Sequence, residues 1–125
     1  VATAAARQGY SVTYETASHL FSNLEKHRFN PDEATQEVVH RYEACDLLII
    51  DDLGTELPGN FVTAALYSLV NDRLLAGKPM VISTNLTIDE IRARYSPQIA
   101  SRLHGNFLRL TFVGDDIRVM KNRRM

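Results

Sequence analysis

Leu47-Leu48-Ile49-Ile50-Asp51-Asp52 is the stretch on which the reading of this chain turns. Four apolar residues run without alternation and end in two acids. Together with Asp46 the segment 46–52 has the pattern of a strand buried on both faces, as the strands of a parallel sheet are. Its carboxylates then fall at the C-terminal end of the strand, the edge at which open α/β sheets bind ligands. An ordinary strand followed by an acidic turn is the other reading of the same six residues.

Working outward, strands and helices alternate. Residues 11–15 are β-prone and follow Gly9, which closes what reads as the last turns of a helix over residues 1–9. Residues 17–27 repeat apolar side chains at Leu20, Phe21 and Leu24, a helical spacing. Asn30-Pro31-Asp32 punctuates, and residues 32–44 read as a second helix with Val38, Val39 and Tyr42 inward. After the strand comes a loop with Gly54, Pro58 and Gly59, then a helix over 61–76 closed by Gly77. Residues 79–84 form another buried strand. Thr87 and Glu90 make a capping box for a helix over 87–95. A short helix runs from Pro97 to about Leu103, and the alternating residues 107–113 make the last strand. The order predicts an α/β parallel sheet with helices on both faces.

The bulk numbers set limits. At 125 residues the chain holds at most one domain, and 45% hydrophobic residues suits a globular core. With 14 basic and 15 acidic residues, net charge gives no sign of a nucleic-acid partner. Arg118, Lys121, Arg123 and Arg124 make a small basic patch or a solvated terminus. Cys45 is the single cysteine, so no internal disulfide forms, as suits a reducing, cytoplasmic setting. No apolar run is long enough for a membrane helix, and Val1 to Gly9 lacks the charged-then-apolar pattern of a signal peptide.

The chemistry gathers at strand ends. Asp51 and Asp52 fit the Walker B element of a P-loop ATPase, the first acid holding Mg²⁺ and the second polarising the water that attacks the γ-phosphate of ATP. Paired acids repel unless a cation is near. The next strand ends Val81-Ile82-Ser83-Thr84-Asn85, where Asn85 stands as the polar residue called sensor 1 in AAA+ ATPases, or as a turn residue before Thr87. On its own Arg102, within Ile99-Ala100-Ser101-Arg102-Leu103, reads first as a surface arginine lying along a helix. It also stands where an arginine finger would act on a neighbouring subunit. Arg118, in the charged loop Gly114-Asp115-Asp116-Ile117-Arg118, could reach a nucleotide phosphate.

These pieces, in this order, resemble the ATPase domain of DnaC-type and DnaI-type bacterial helicase loaders and of their transposon relatives, the IstB-type ATPases. The matching segments are Tyr14-Glu15-Thr16, Leu48 to Gly54, Ile82 to Leu86, Ser101 to Leu103 and Gly114 to Arg118. The resemblance implies a P-loop NTPase fold of the AAA+ class. It implies Asp51 and Asp52 as Walker B, Asn85 as sensor 1, Arg102 as the finger and Arg118 as a sensor-2-like arginine. It further implies ATP and Mg²⁺ as ligands, and a homo-oligomer that binds single-stranded DNA and the replicative DNA helicase. Arg92, Arg94, Arg109, Lys121, Arg123 and Arg124 are available for DNA phosphates.

One family element is missing. Gly77-Lys78 is the only Gly-Lys pair, and its surroundings are not those of Gly-x-x-x-x-Gly-Lys-Ser/Thr. The expectation is therefore a partial AAA+ domain over residues 1–125, with the phosphate loop and its strand lying before Val1. That strand belongs between the 79–84 and 107–113 strands, so the last strand should lack a partner on that side. Two functions stand open: an ATPase that loads a helicase or, like the IstB proteins, assists transposition, and a non-catalytic partner- or DNA-binding fragment.

Overall fold

The computed structural model describes residues 9–112 and 115–120, with side chains from Gly9 to Gly105. The helix expected before Gly9 lies outside them. Five strands form one sheet: β1 (Val12–Thr16), β2 (Leu47–Leu53), β3 (Met80–Thr84), β4 (Phe107–Phe112) and β5 (Asp115–Met120). Their spatial order is β1-β2-β3-β5-β4. Five helices connect them: α1 (Ala17–Phe29), α2 (Glu33–Ala44), α3 (Asn60–Ala76), α4 (Ile88–Arg94) and α5 (Pro97–Asn106).

The three N-terminal strands are parallel, in register Tyr14 with Ile49 and Ile49 with Val81. Leu48, Ile50, Met80 and Ile82 share one face of the sheet and are completely buried. They form a single core with Leu20 and Phe21 of α1, Tyr42 of α2, and Leu66, Leu69 and Val70 of α3. On the opposite face Ile49 and Val81 are half-buried and Tyr14 is 57% exposed. None of the helices is long and apolar enough to cross a membrane, among the described residues.

Helix ends follow their local chemistry. Thr16 caps α1 by accepting from the His19 N–H. The α2 cap is Asp32, one residue after Pro31, in a reciprocal box with Thr35. The α4 box is the expected one, Thr87 with Glu90. Gly77 ends α3 with φ 69°, the left-handed conformation that glycine adopts without strain.

Two features depart from the expectation. Residues 115–118 are not loop but the first part of β5. The alternation of Asp116, Ile117, Arg118 and Val119 is a strand pattern. The register pairs Phe112 with Asp115 in an antiparallel hairpin. β5 also pairs antiparallel with β3, Ser83 opposite Ile117. It therefore occupies the place between β3 and β4 where the partner of the last strand was expected to be missing. The sheet is parallel over β1 to β3 and antiparallel beyond.

The second departure is Arg73, in the last turn of α3 and only 1% exposed. Its Nη1 donates to the carbonyls of Tyr42 (3.0 Å), Glu43 (3.3 Å) and Cys45 (2.9 Å), and its Nη2 to that of Pro79 (2.8 Å). One guanidinium thus serves the open C-terminal carbonyls of α2 and the entry to β3.

Candidate functional site

The C-terminal ends of β2 and β3 are joined by hydroxyl bonds. The register between these strands breaks between Ile50 and Leu53, a bulge that contains Asp51 and Asp52. Ser83 Oγ donates to Asp51 Oδ1 and accepts the Asp52 N–H at 3.0 Å. From the other side Tyr14 Oη donates to Asp51 Oδ2 at 2.5 Å. Thr84 Oγ1 donates to the Leu53 carbonyl at 2.6 Å and accepts the Leu86 N–H at 3.1 Å. Asn85 stands between Thr84 and Leu86 in the chain and is exposed. Asp51, Asp52 and Asn85 therefore stand on one rim, as consecutive parallel strands require.

The two acids occupy different environments. Asp51 is half-buried with both oxygens engaged, and the Ser83 hydroxyl first, then the Tyr14 hydroxyl, hold its carboxyl below the usual range. A carboxylate has about four lone-pair sites, so two hydroxyl bonds leave room for magnesium-bound water. Among the described residues no group of three or more His, Cys, Asp or Glu could hold a metal. A magnesium ion carried by nucleotide phosphates needs only one or two protein carboxylates, and Asp51 fits that. Asp52 is exposed, and its backbone adopts φ 58°. The same contact with Asp51 raises the Tyr14 hydroxyl pKa.

The Asp51 environment sets a pH dependence. A carboxyl held low in the fold contributes stability that is present above its unfolded value and is lost as pH falls through its folded value. Ser83→Ala removes the largest cause of that depression, so the Asp51 carboxyl should titrate at higher pH. Stability should then be lost at a less acid pH, starting from about pH 4. Carboxyl NMR and urea melts across pH 2–6 on wild type and variant would read this. Identical Asp51 titrations would contradict it.

After Asp52 the chain turns sharply. The Asp52 carbonyl accepts from Thr55 N (3.2 Å) and Thr55 Oγ1 (2.8 Å). Gly54 has φ 108°, a conformation that calls for glycine, and a Cβ there would stand 2.8 Å from Leu86 Cδ1 and push that side chain aside. The turn ends at Glu56, a buried carboxylate that the sequence reading did not single out. Nothing at Thr55-Glu56-Leu57 marks that glutamate locally, because its partners Arg94 and Tyr95 are 38 and 39 residues away.

The other expected residues are placed less centrally. Arg102 is half-buried on α5, which packs against α4, α3 and β4. The backbone of Arg118 lies in β5 opposite Ile82, rather than in a loop past the last strand; its side chain lies outside the described residues. Of the arginines offered for DNA phosphates, Arg94 is engaged with Glu56 (3.0 Å) and Arg92 with Asp89 (2.8 Å). The side chains of Arg109, Lys121, Arg123 and Arg124 lie outside the described residues. A cavity of about 700 Å³ opens far from the rim, between Leu24, Phe29, Val39, Phe61 and Leu69, and touches none of these residues.

With this geometry in hand the chain can be compared with known proteins. The family described as IstB-like ATP binding protein matches residues 1–106. No curated protein matches the chain. Two solved structures superpose on it. One is the crystal structure of a DNA replication initiation factor, with TM-score 0.69 and 22% identity over 82% of this chain and 31% of that one. The other is AMPPCP-bound DnaA from Aquifex aeolicus, with TM-score 0.65 and 21% identity over 83% of this chain and 32% of that one. At these identities the likeness establishes the fold alone, an α/β fold of the P-loop NTPase kind. The chain spans about a third of the length of either structure.

Proposed function

We infer the function from one premise: the chain belongs to the IstB-like ATP binding protein family. In our reading it is the Walker B half of an ATPase that binds Mg-ATP and hydrolyses it. Hydrolysis powers the placing of a replicative DNA helicase on single-stranded DNA in the cytoplasm. The observation that carries this is the shared rim, where the Ser83 hydroxyl bridges the Asp51 carboxylate and the Asp52 backbone and Thr84 ties Leu53 to the residue after Asn85.

The chemistry follows from the placement. Asp51, oriented by two hydroxyls, is the residue that would hold a magnesium ion carried by the nucleotide, and the ion would supply charge neutralisation for the phosphates. Asp52 takes a proton from the attacking water as its oxygen bonds to the γ-phosphorus and the bond to the β-phosphate oxygen breaks, and Asn85 orients that water. Arg102 on a neighbouring subunit and Arg118 in the same chain would meet the phosphoryl charge, a role for Arg102 that requires a homo-oligomer.

The replication reading is supported by the likeness in fold to a DNA replication initiation factor and to DnaA. A transposition helper is the second reading, favoured by the family description itself. ATP titration of a chain that includes the phosphate-binding loop tests the ATPase core. Retention of the replicative helicase by that ATP-bound protein, together with ATP-dependent helicase loading on single strands, tests the role. ATP binding without helicase retention, together with stimulation of a transposase, would favour the second reading, and no ATP binding would reject both.

A further inference from the structure

We propose that Glu56 is a positioning residue for hydrolysis: its buried carboxylate fixes the far end of the turn that carries Asp52 and thereby sets Asp52 against Asn85. The proposal rests on the nucleotide reading above and adds a residue to it.

Glu56 is 5% exposed. Its Oε1 accepts the Gly54 N–H at 2.9 Å. Its Oε2 accepts from Tyr95 Oη (2.7 Å), Arg94 Nη2 (3.0 Å) and Arg94 Nε (3.2 Å). Arg94 Nη2 also donates to the Glu56 main-chain carbonyl. Burying a charge is costly unless it is paired and hydrogen-bonded, and here both oxygens are engaged, Oε1 by one backbone donor and Oε2 by two side chains from the end of α4. Burial first, and then the Glu56 carboxylate, push the Tyr95 hydroxyl pKa up, with Arg94 acting in the opposite direction.

The contacts close a ring. From Asp52 the chain runs through the Thr55 turn to Glu56, across to Arg94 and Tyr95, and back along α4 to its cap at Thr87. Asn85 comes two residues before that cap, and Thr84 ties Leu53 to Leu86. Asp52 and Asn85 are thus two stations on one closed circuit, with hydroxyl bonds at the rim and the Glu56 carboxylate opposite. Asp52 holds a left-handed backbone, one that aspartate tolerates better than most residues but that still lies above the ordinary conformations in energy. Releasing Glu56 frees the segment most able to relax that conformation.

The test uses a chain that includes the phosphate-binding loop, with Asp52→Asn as the control. Glu56→Gln keeps the size of the side chain and one acceptor oxygen, so it can answer either Gly54 or the Tyr95–Arg94 pair but not both, and it removes the charge that Arg94 answers. It should lower kcat per bound nucleotide by about 10-fold or more while KM for ATP stays within about twofold, because displacement of a reacting group by a fraction of an ångström is costly to rate and not to ground-state binding. Arg94→Gln should act through the same contact, so the double variant should be no slower than Glu56→Gln alone. Tyr95→Phe, the mildest cut, should lower kcat in the same direction and covers the case in which Glu56→Gln does not fold. An unchanged kcat per bound nucleotide with only a lower Tm would make Glu56 a plain structural anchor and overturn the proposal. Turnover that survives in Asp52→Asn would sink the hydrolytic reading, and this proposal with it. Loss in Asp52→Asn with no loss in the Glu56, Arg94 and Tyr95 variants would sink this proposal alone.

Discussion

Asp52→Asn, in a chain that carries the phosphate-binding loop, should lower ATP turnover by about 10²–10⁴-fold, the share of rate that a placed general base supplies. Nucleotide affinity should change little. The substitution isolates chemistry from folding for a structural reason. Asparagine shares with aspartate a tolerance of the left-handed backbone found at residue 52. The turn is held by main-chain groups, since Ser83 receives the Asp52 N–H and Thr55 donates to its carbonyl. An amide keeps that framework and cannot take a proton from water. Phosphate release under saturating ATP, read beside equilibrium binding of a fluorescent nucleotide, separates the two effects. Near-normal turnover would remove Asp52 from this role and leave the rim as a binding feature only.

The largest loss of stability should come from Arg73→Met. Methionine roughly replaces the bulk of the stem, and the carbonyls of Tyr42, Cys45 and Pro79 lose a donor within 3.0 Å. Each buried acceptor left without a partner costs about 1–3 kcal/mol, so a total of about 3 kcal/mol or more is expected. Against it stands the cost of keeping a cation in the interior, and burial does pull the Arg73 pKa down. The Nε is buried without a partner among the described residues, yet both Nη atoms are engaged, and removing them from the carbonyls they serve is nonetheless the unfavourable direction. A fall in urea midpoint at constant m-value is the expected signature. A loss below about 1 kcal/mol would mean that water reaches those carbonyls once the arginine is gone.

The parts of this fold that were legible in the sequence are those written by neighbouring residues. The apolar run before Asp51 gave β2, and the shorter run before Ser83 gave β3. Their parallel adjacency follows from the single helix between them, and with it the rim that brings Asp51, Asp52 and Asn85 together. Thr87 and Glu90 declared the α4 cap because a capping box is a four-residue signal. Glu56, Arg73 and Tyr14 gave no such sign. Their partners lie across the sheet or at a distant helix end, and a glutamate or arginine in a polar stretch reads as a solvated charge until folding buries it. Arg94 shows the same effect in reverse, since it was open to DNA phosphates by sequence and is taken up by Glu56 in the fold. β5 was not legible because Gly114 and the paired acids at 115 and 116 have the composition of a charged loop, and the alternation that follows them is short.

The positive φ of 58° at residue 52 bears on which acid the rim can carry there. Short polar side chains settle into that backbone shape by bonding to their own main chain; longer ones lack that compensation and are seldom found in it. A glutamate at this place lacks that compensation, so it would favour another backbone shape and loosen the hold of Ser83 on the main chain. Lengthening the acid at residue 52 by one methylene therefore bears on the shape of the strand terminus as well as on the reach of the carboxylate.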